Sequence, residues 1–187
     1  MLYYYDVFDQ LGLEAPAAVG HAFGGMVAAE VAATNPQRVS RLVLLSPIGL
    51  WRDDAPVLNW MAMAPDAMAK AVFFDPNGLL AQQVLALPEE PEAQVEVQIQ
   101  IAWTLACTGK FVWPIPDKGL KKRLYRIKSP TLIIWGKQDG LVPSVYAHEF
   151  ANRLADARVE IVDQAAHVPH LEQLATVSGL VQRFLQA

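Results

Sequence analysis

Four short apolar runs, widely spaced along the chain, limit its fold more than any other feature. They are Ala17–Val19, Arg41–Ser46, Thr131–Trp135 and Val159–Val162. Short continuous apolar runs are typical of strands that are buried on both faces of a parallel sheet. Because helical patterns separate these runs, they predict an α/β domain in which helices flank a parallel sheet.

The helical patterns between the runs give the order of the elements. A first helix is expected from Tyr3 to about Gly12, with its tyrosines used for packing. Further helices are predicted over Gly24–Asn35, Ser144–Leu154 and about Leu171–Leu185. In the last of these, apolar residues recur at helical spacing, which indicates one face turned towards the sheet.

The stretch from about residue 48 to residue 119 is too long for a simple crossover between the second and third strands. It is rich in Trp, Met and Pro. We interpret it as an inserted helical lid, with residues 1–47 and 120–187 forming the core. Residues 95–105 fit both an alternating strand and one face of a helix, and we favour the helix. Trp51, Trp103 and Trp113 are candidates for the wall of an apolar substrate pocket, with packing inside the lid as the alternative for each.

Charge and cysteine content exclude several classes of protein. The formal net charge is -4 and Lys121-Lys122-Arg123 is the only basic cluster, which argues against a nucleic-acid partner. We expect this cluster on a solvated helix face. Cys107 is the only cysteine, so an internal disulfide and a multi-cysteine metal site are excluded. With no secretory signal and no apolar run long enough to cross a membrane, we expect a cytoplasmic protein with no membrane partner.

The stretch AAVGHAFGG, residues 17–25, predicts a sharp turn from the first strand into the second helix. Gly20 and Gly24 stand two residues either side of Ala22, and so tight a turn forces position 22 towards positive φ between small neighbours. Such turns often carry a nucleophilic serine, but here the position holds alanine. The N–H of Phe23 would point into the site at the helix N-terminus, where negative charge is favoured. A turn used only for packing is the alternative.

Two polar residues follow the third and fourth predicted strands. Asp139 lies in WGKQDGLVP and His167 in DQAAHVPH. Carboxyl ends of parallel strands share one sheet edge, where open α/β sheets bind ligands, so this carboxylate and imidazole are expected at that edge. Taken singly, Asp139 also fits an ordinary turn and His167 a structural loop histidine. We expect structural roles for His21, His148 and His170, with His21 aimed away from the tip of the turn.

The chain order of position 22, Asp139 and His167 resembles that of the α/β-hydrolase family, and most of all its lid-bearing branch of esterases and carbon–carbon-bond hydrolases. That branch has a Gly-His-Ser-x-Gly-Gly elbow, a Pro-Thr-Leu-x-x-Trp-Gly-x-x-Asp-x-x-x-Pro acid segment and a Gly-His-x-x-x-x-Glu histidine loop. This sequence has GHAFGG, PTLIIWGKQDGLVP and AHVPHLE. The likeness covers residues 11–46 and 121–185, while the lid matches in position only.

The resemblance implies a partial α/β-hydrolase fold that uses neither cofactor nor metal and acts on small apolar esters or related carbonyl compounds. His167 would be the general base, Asp139 would hold its tautomer, and the Phe23 N–H would supply half of an oxyanion hole. Ala22 departs from the family pattern, because it closes the acyl-enzyme route. Losing a triad member typically removes about 10⁴–10⁶ of the rate, so we expect little hydrolysis from the chain.

The start of the sequence also departs from the family pattern. The family has several strands before the elbow, which are absent here, together with the loop that supplies the second oxyanion donor. We therefore expect an exposed sheet edge, paired with a missing N-terminal segment or with a second copy in a dimer.

Two further functions are compatible with these residues. The Asp139–His167 pair could act as a general base without a nucleophile, as in lyases or cofactor-free oxygenases of this fold. Alternatively, the chain is a non-catalytic binding module for a small apolar ligand or a partner protein. Substitution of His167 distinguishes them, because it would abolish turnover in the first case and leave function intact in the second.

Overall fold

Four parallel strands form the centre of the computed structural model, which describes residues 2–115 and 117–187. The strands are β1 (Ala18–His21), β2 (Leu42–Leu45), β3 (Thr131–Gly136) and β4 (Ala157–Val162), and they lie in the order β1-β2-β3-β4. All neighbouring pairs are parallel. The four predicted strands and the α/β class are confirmed, with bounds that differ by one or two residues.

Eight α-helices surround or extend from this sheet in the described residues. They are α1 (Leu2–Gln10), α2 (Ala22–Thr34), α3 (Pro65–Val72), α4 (Leu79–Leu85), α5 (Pro91–Val112), α6 (Val145–Ala151), α7 (Pro169–Glu172) and α8 (Leu174–Gln186). The helical interpretation of residues 95–105 is confirmed, since they lie inside α5. None of the described helices is long and apolar enough to span a bilayer.

The side chains of β2 and β3 alternate between two apolar layers, as the period of a strand requires. Leu44 and Ile133 face the layer that contains α2 and α6. Leu45 and Ile134 face the opposite layer, which includes Val177 of α8. The sheet is therefore covered on both faces, which explains why its central strands are apolar throughout.

The predicted last helix, Leu171–Leu185, is wrong as a single element. The chain forms α7 and α8 instead, because Gln173 between them has the non-helical angles φ -126 and ψ 51. The side chain of Gln173 turns back to donate from Nε2 to the carbonyl of Gln164 at 3.0 Å. This hydrogen bond joins the loop after β4 to the end of α7.

β1 lies at the edge of the described sheet, with β2 as its hydrogen-bonded neighbour. Val19 on this strand is 52% exposed. Helix α1 is attached nearby through α2, since the hydroxyl of Tyr5 donates to the carbonyl of Val31 at 2.7 Å. β1 is thus paired with β2, and α1 is bonded to the C-terminal half of α2.

Candidate active site

The turn between β1 and α2 has the strained geometry that the sequence predicts. Ala22 has φ 49, in the left-handed region that costs a residue with a Cβ about 1 kcal/mol. A Cβ on Gly20 would lie 2.4 Å from the carbonyl oxygen of Gly24, so only glycine fits there. The prediction that Gly24 must be small is wrong, because a Cβ on it meets nothing within 4 Å. Gly25 is the second tight position, where a Cβ would lie 2.9 Å from the Cβ of Pro47.

Phe23 is the second residue of α2. Its N–H is one of the first four in the helix, which have no acceptor within the helix itself. The partial positive charge of the helix N-terminus lies at the same place. The backbone at Phe23 can therefore stabilise negative charge on a group bound beside Ala22.

Asp139 is buried in the turn after β3, where three hydrogen bonds fix its carboxylate. Oδ1 accepts from the N–H of Leu141 at 3.0 Å and from that of Val142 at 2.9 Å. The other oxygen, Oδ2, lies 2.9 Å from Nδ1 of His167. Since the backbone donors occupy Oδ1, Oδ2 is left to orient the imidazole.

His167 lies in the loop after β4 and is only 4% exposed. Its Nδ1–H donates to Asp139, which leaves Nε2 as the lone-pair nitrogen of the neutral ring. This is the tautomer that a general base needs, with the carboxylate placed to stabilise the imidazolium. The structure thus brings together the two residues that the sequence places after separate strands.

His21, which we expected to aim away from the tip of the turn, lies against the histidine loop. Its Nε2–H donates to the carbonyl of His167 at 2.7 Å, and its ring centroid is 5.0 Å from that of His167. Burial, with the nearby charge of His167 as a smaller cause, lowers the pKa of His21 to about 4. The ring is therefore neutral near pH 7 and links the turn at Ala22 directly to the backbone of the candidate base. The pKa of His170 is lowered too, first by burial and then by His167.

Ser46, at the end of β2, does not replace the missing hydroxyl at position 22. It is fully buried and has φ 41. Within residues 2–115 and 117–187 its Oγ has no hydrogen-bond partner, so no base is in place to activate it.

A largely apolar cavity of about 250 Å³ begins beside the turn at Phe23. Met26, Val27 and Glu30 of α2 line it together with residues of the segment between β2 and β3, including Trp60 and Phe111. Phe23, the residue after Ala22, lines it, whereas Asp139 and His167 are not among its described lining residues.

The three predicted pocket tryptophans lie elsewhere in the described structure. Trp103 and Trp113 are 66% and 57% exposed, and neither lines the cavity. Trp51 is half-buried, and its Nε1 donates to Asp53 at 2.8 Å. Trp60, another tryptophan of the segment between β2 and β3, lines the cavity instead.

The basic cluster of residues 121–123 is not a solvated face throughout. Arg123 lines the cavity, and its Nε donates to Oε2 of Glu30 at 2.8 Å. This ion pair lies at the end of the α2 wall that is farthest from Phe23. Glu30 and Arg123 are 93 positions apart in the chain, so the local sequence pattern did not predict their pairing.

Comparison with known proteins shows the family to which the chain belongs. Residues 2–174 match the model of the alpha/beta hydrolase fold family. A protein of Azorhizobium caulinodans named as a carbamate hydrolase, RutD, is 31% identical over 171 residues, covering 86% of this chain and 62% of the relative. The 2-hydroxy-6-oxo-6-phenylhexa-2,4-dienoate hydrolase of Comamonas testosteroni is 24% identical over 192 residues, covering 96% of this chain and 66% of the relative.

Solved structures show the same fold at low identity. A meta-cleavage product hydrolase from Pseudomonas fluorescens superposes with a TM-score of 0.74 at 20% identity, covering 96% of this chain and 68% of that one. The chain spans only part of the length of its curated relatives. It covers 62% of RutD and 47% of an acetyltransferase component from Cupriavidus necator. On the family match, which extends over most of its length, the chain belongs to the alpha/beta hydrolase fold family.

Proposed function

We propose that this chain is a hydrolase scaffold for small apolar esters or related carbonyl compounds whose nucleophile position holds Ala22. Asp139 and His167 are its orienting acid and general base, and the Phe23 N–H is one oxyanion donor. As the sequence stands, the acyl-enzyme route is closed, and the chain hydrolyses such substrates little or not at all.

The buried Asp139–His167 hydrogen bond carries this proposal. Two backbone donors hold Oδ1 of Asp139, and Oδ2 holds Nδ1 of the imidazole, so Nε2 of His167 is left as the nitrogen that can accept a proton. Ala22 lies next to His21, which bonds the backbone of His167, so position 22 is close to the base. The left-handed φ of Ala22 is the strained geometry of a nucleophile elbow, kept here without the hydroxyl.

The cavity supports an apolar substrate with its reacting carbonyl at Phe23. Phe23, Met26, Val27 and Glu30 lie at helical spacing along α2, so the wall runs about 10 Å from the elbow to the Glu30–Arg123 ion pair. An acyl group of a few carbons fits along that length. The two relatives are named as a carbamate hydrolase and a dienoate hydrolase, and both names specify a compound that contains a carbonyl group.

Restoring the hydroxyl tests the proposal. We would compare p-nitrophenyl butyrate hydrolysis by the unmodified chain, by Ala22→Ser and by Ala22→Ser with His167→Ala. A fluorophosphonate probe, which labels activated serines, would be applied to all three.

Only Ala22→Ser is expected to turn over substrate and to react rapidly with the probe. Adding His167→Ala should lower the rate steeply, towards the loss of about 10⁴ or more seen when triad members are removed. A folded Ala22→Ser that neither hydrolyses nor reacts would contradict the proposed assembly of the site. Labelling of the unmodified chain would contradict it differently, by revealing another nucleophile.

General-base chemistry without a nucleophile is a second candidate, favoured by the intact Asp139–His167 pair beside an alanine. The readout is exchange of a C–H proton next to a carbonyl, followed by NMR in D₂O with small apolar 1,3-dicarbonyl compounds. Exchange by the unmodified chain that His167→Ala abolishes would support this function. Binding of the same compounds without exchange would point to a binding module instead.

A further inference from the structure

The end of helix α3 is bonded to the loops that carry both members of the candidate pair. The N–H of Gly140, next to Asp139, donates to the carbonyl of Ala71 at 3.1 Å. The N–H of His167 donates to the carbonyl of Val72 at 2.9 Å. The last carbonyls of a helix have no partner within it, so the two loops satisfy groups that would otherwise be unpaired.

Glu172 adds a third connection across the same junction. Its Oε2 accepts from the N–H of Ala166 and its Oε1 from the N–H of Phe74, each at 2.6 Å. Ala166 directly precedes His167, and Phe74 follows the end of α3. One half-buried carboxylate therefore joins the histidine loop to the segment after α3 by two charge-assisted hydrogen bonds.

The backbone around His167 is consequently fixed at three successive groups. Ala166 N–H is held by Glu172, His167 N–H by the carbonyl of Val72, and His167 C=O by the ring of His21. With the backbone fixed, the imidazole can reorient only about its own side-chain bonds. Its distance to Asp139 then depends on how firmly the loop is held.

We propose that Glu172 is a positioning residue, which holds the histidine loop against residues 71–74 so that Nδ1 of His167 stays within hydrogen-bond distance of Asp139. This inference rests on the proposed function, because the orientation of the ring matters for catalysis only if His167 is the base. Glu172 touches no reacting atom and acts through the loop backbone.

The first test is spectroscopic and needs no turnover. The proton shared by His167 and Asp139 should give a low-field NMR resonance in the unmodified chain, identified by its absence in His167→Ala. Glu172→Gln is nearly isosteric but turns an NH₂ group towards one of the two N–H donors, so we expect the resonance to be lost or to exchange much faster with water. Glu149→Gln is the matched control.

Glu149 suits that purpose because its carboxylate also takes two donors, from Arg52 at 2.8 Å and Arg153 at 2.7 Å, but on helix α6. Glu149→Gln should keep the low-field resonance. A folded Glu172→Gln that keeps the resonance unchanged would overturn the inference. So would equal loss of the resonance in the control, since that would reflect general destabilisation.

Phe74→Pro gives an independent test where Glu172→Gln does not fold. It deletes one donor and leaves the carboxylate in place. The preceding residue, Phe73, has φ -112 and ψ 141, which is the backbone that proline requires before it. Weakening of the low-field resonance in Phe74→Pro supports the inference, and its retention overturns it.

A second readout uses activity in the Ala22→Ser background. Adding Glu172→Gln should lower kcat by up to about 100-fold, with KM little changed, because the cavity is untouched and only the base is displaced. The NMR test is independent of this assay. Failure of Ala22→Ser to hydrolyse ester would therefore count against the proposed function. Loss or retention of the low-field resonance in Glu172→Gln separately decides the role of Glu172.

Discussion

His21 should make the folded chain lose stability as the pH falls from 7 to 5. Burial, with a smaller contribution from His167, lowers the pKa of His21 from 6.5 to about 4. Between these two values the unfolded chain binds a proton at His21 and the folded chain does not. The free energy of unfolding therefore falls as the pH drops below 6.5, and the His21 contribution stops changing below about pH 4.

The size of the effect follows from those two pKa values. At pH 5 the proton that only the unfolded chain takes up lowers the free energy of unfolding by about 2 kcal/mol relative to pH 7. His21→Gln removes the titrating ring while offering an N–H donor to the carbonyl of His167. Between pH 7 and pH 5, the free energy of unfolding of His21→Gln should therefore fall by about 2 kcal/mol less than that of the unmodified chain.

Urea unfolding followed by tryptophan fluorescence at pH 7 and pH 5 measures this difference. His148→Gln is the control, because it makes the same substitution at an exposed position on α6. Equal loss of stability in His21→Gln and in the unmodified chain over this interval would contradict the lowered pKa of His21. That result would mean that His21 titrates in the folded chain as it does in the unfolded one.

Three further predictions concern the turn and the cavity. Gly20→Ala should cost about 1–3 kcal/mol in urea unfolding, whereas Gly24→Ala, which enters open space on a helix, should cost nothing or stabilise by up to about 1 kcal/mol. Equal costs would contradict the assigned geometry. Ala22→Gly should raise the melting temperature slightly, because glycine relieves a left-handed φ, and a marked fall would argue against that strain. In the Ala22→Ser background, Val27→Phe should shift preference from octanoate towards acetate esters, and the exposed Val84→Phe should not.

Local pattern was enough to predict the sheet and most of the helices. Strands such as Thr131–Gly136 are buried on both faces, so their apolar character is visible in a few consecutive residues. Asp139 and His167 could be placed together because each follows a strand of one parallel sheet. The resemblance then identified Ala22 as the position at which the family has its nucleophilic serine.

Long-range packing explains what the sequence did not show. Gly25 is tight because Pro47 lies against it, and nothing in the GHAFGG stretch records that neighbour. His21 turns towards the histidine loop because that loop supplies a carbonyl 146 positions away in the chain. Glu172 lies within the AHVPHLE stretch, yet its second partner is the backbone of Phe74, which no motif includes.

Helix α5 buries few side chains, and this affects how a ligand could enter the cavity. Among the described residues of α5, Val112 alone is buried, whereas Ala29, Ala32 and Ala33 of α2 are fully enclosed. Helices with so few enclosed apolar groups open at a lower free energy than the rest of a fold, so the amide protons of α5 should exchange with deuterium well before those of β2 and β3. Phe111 and Val112 at its end line the cavity opposite α2. The α5 side of the cavity would thus open by local unfolding while the α2 side stays in place. Ligand access to the cavity would then depend on how often α5 opens.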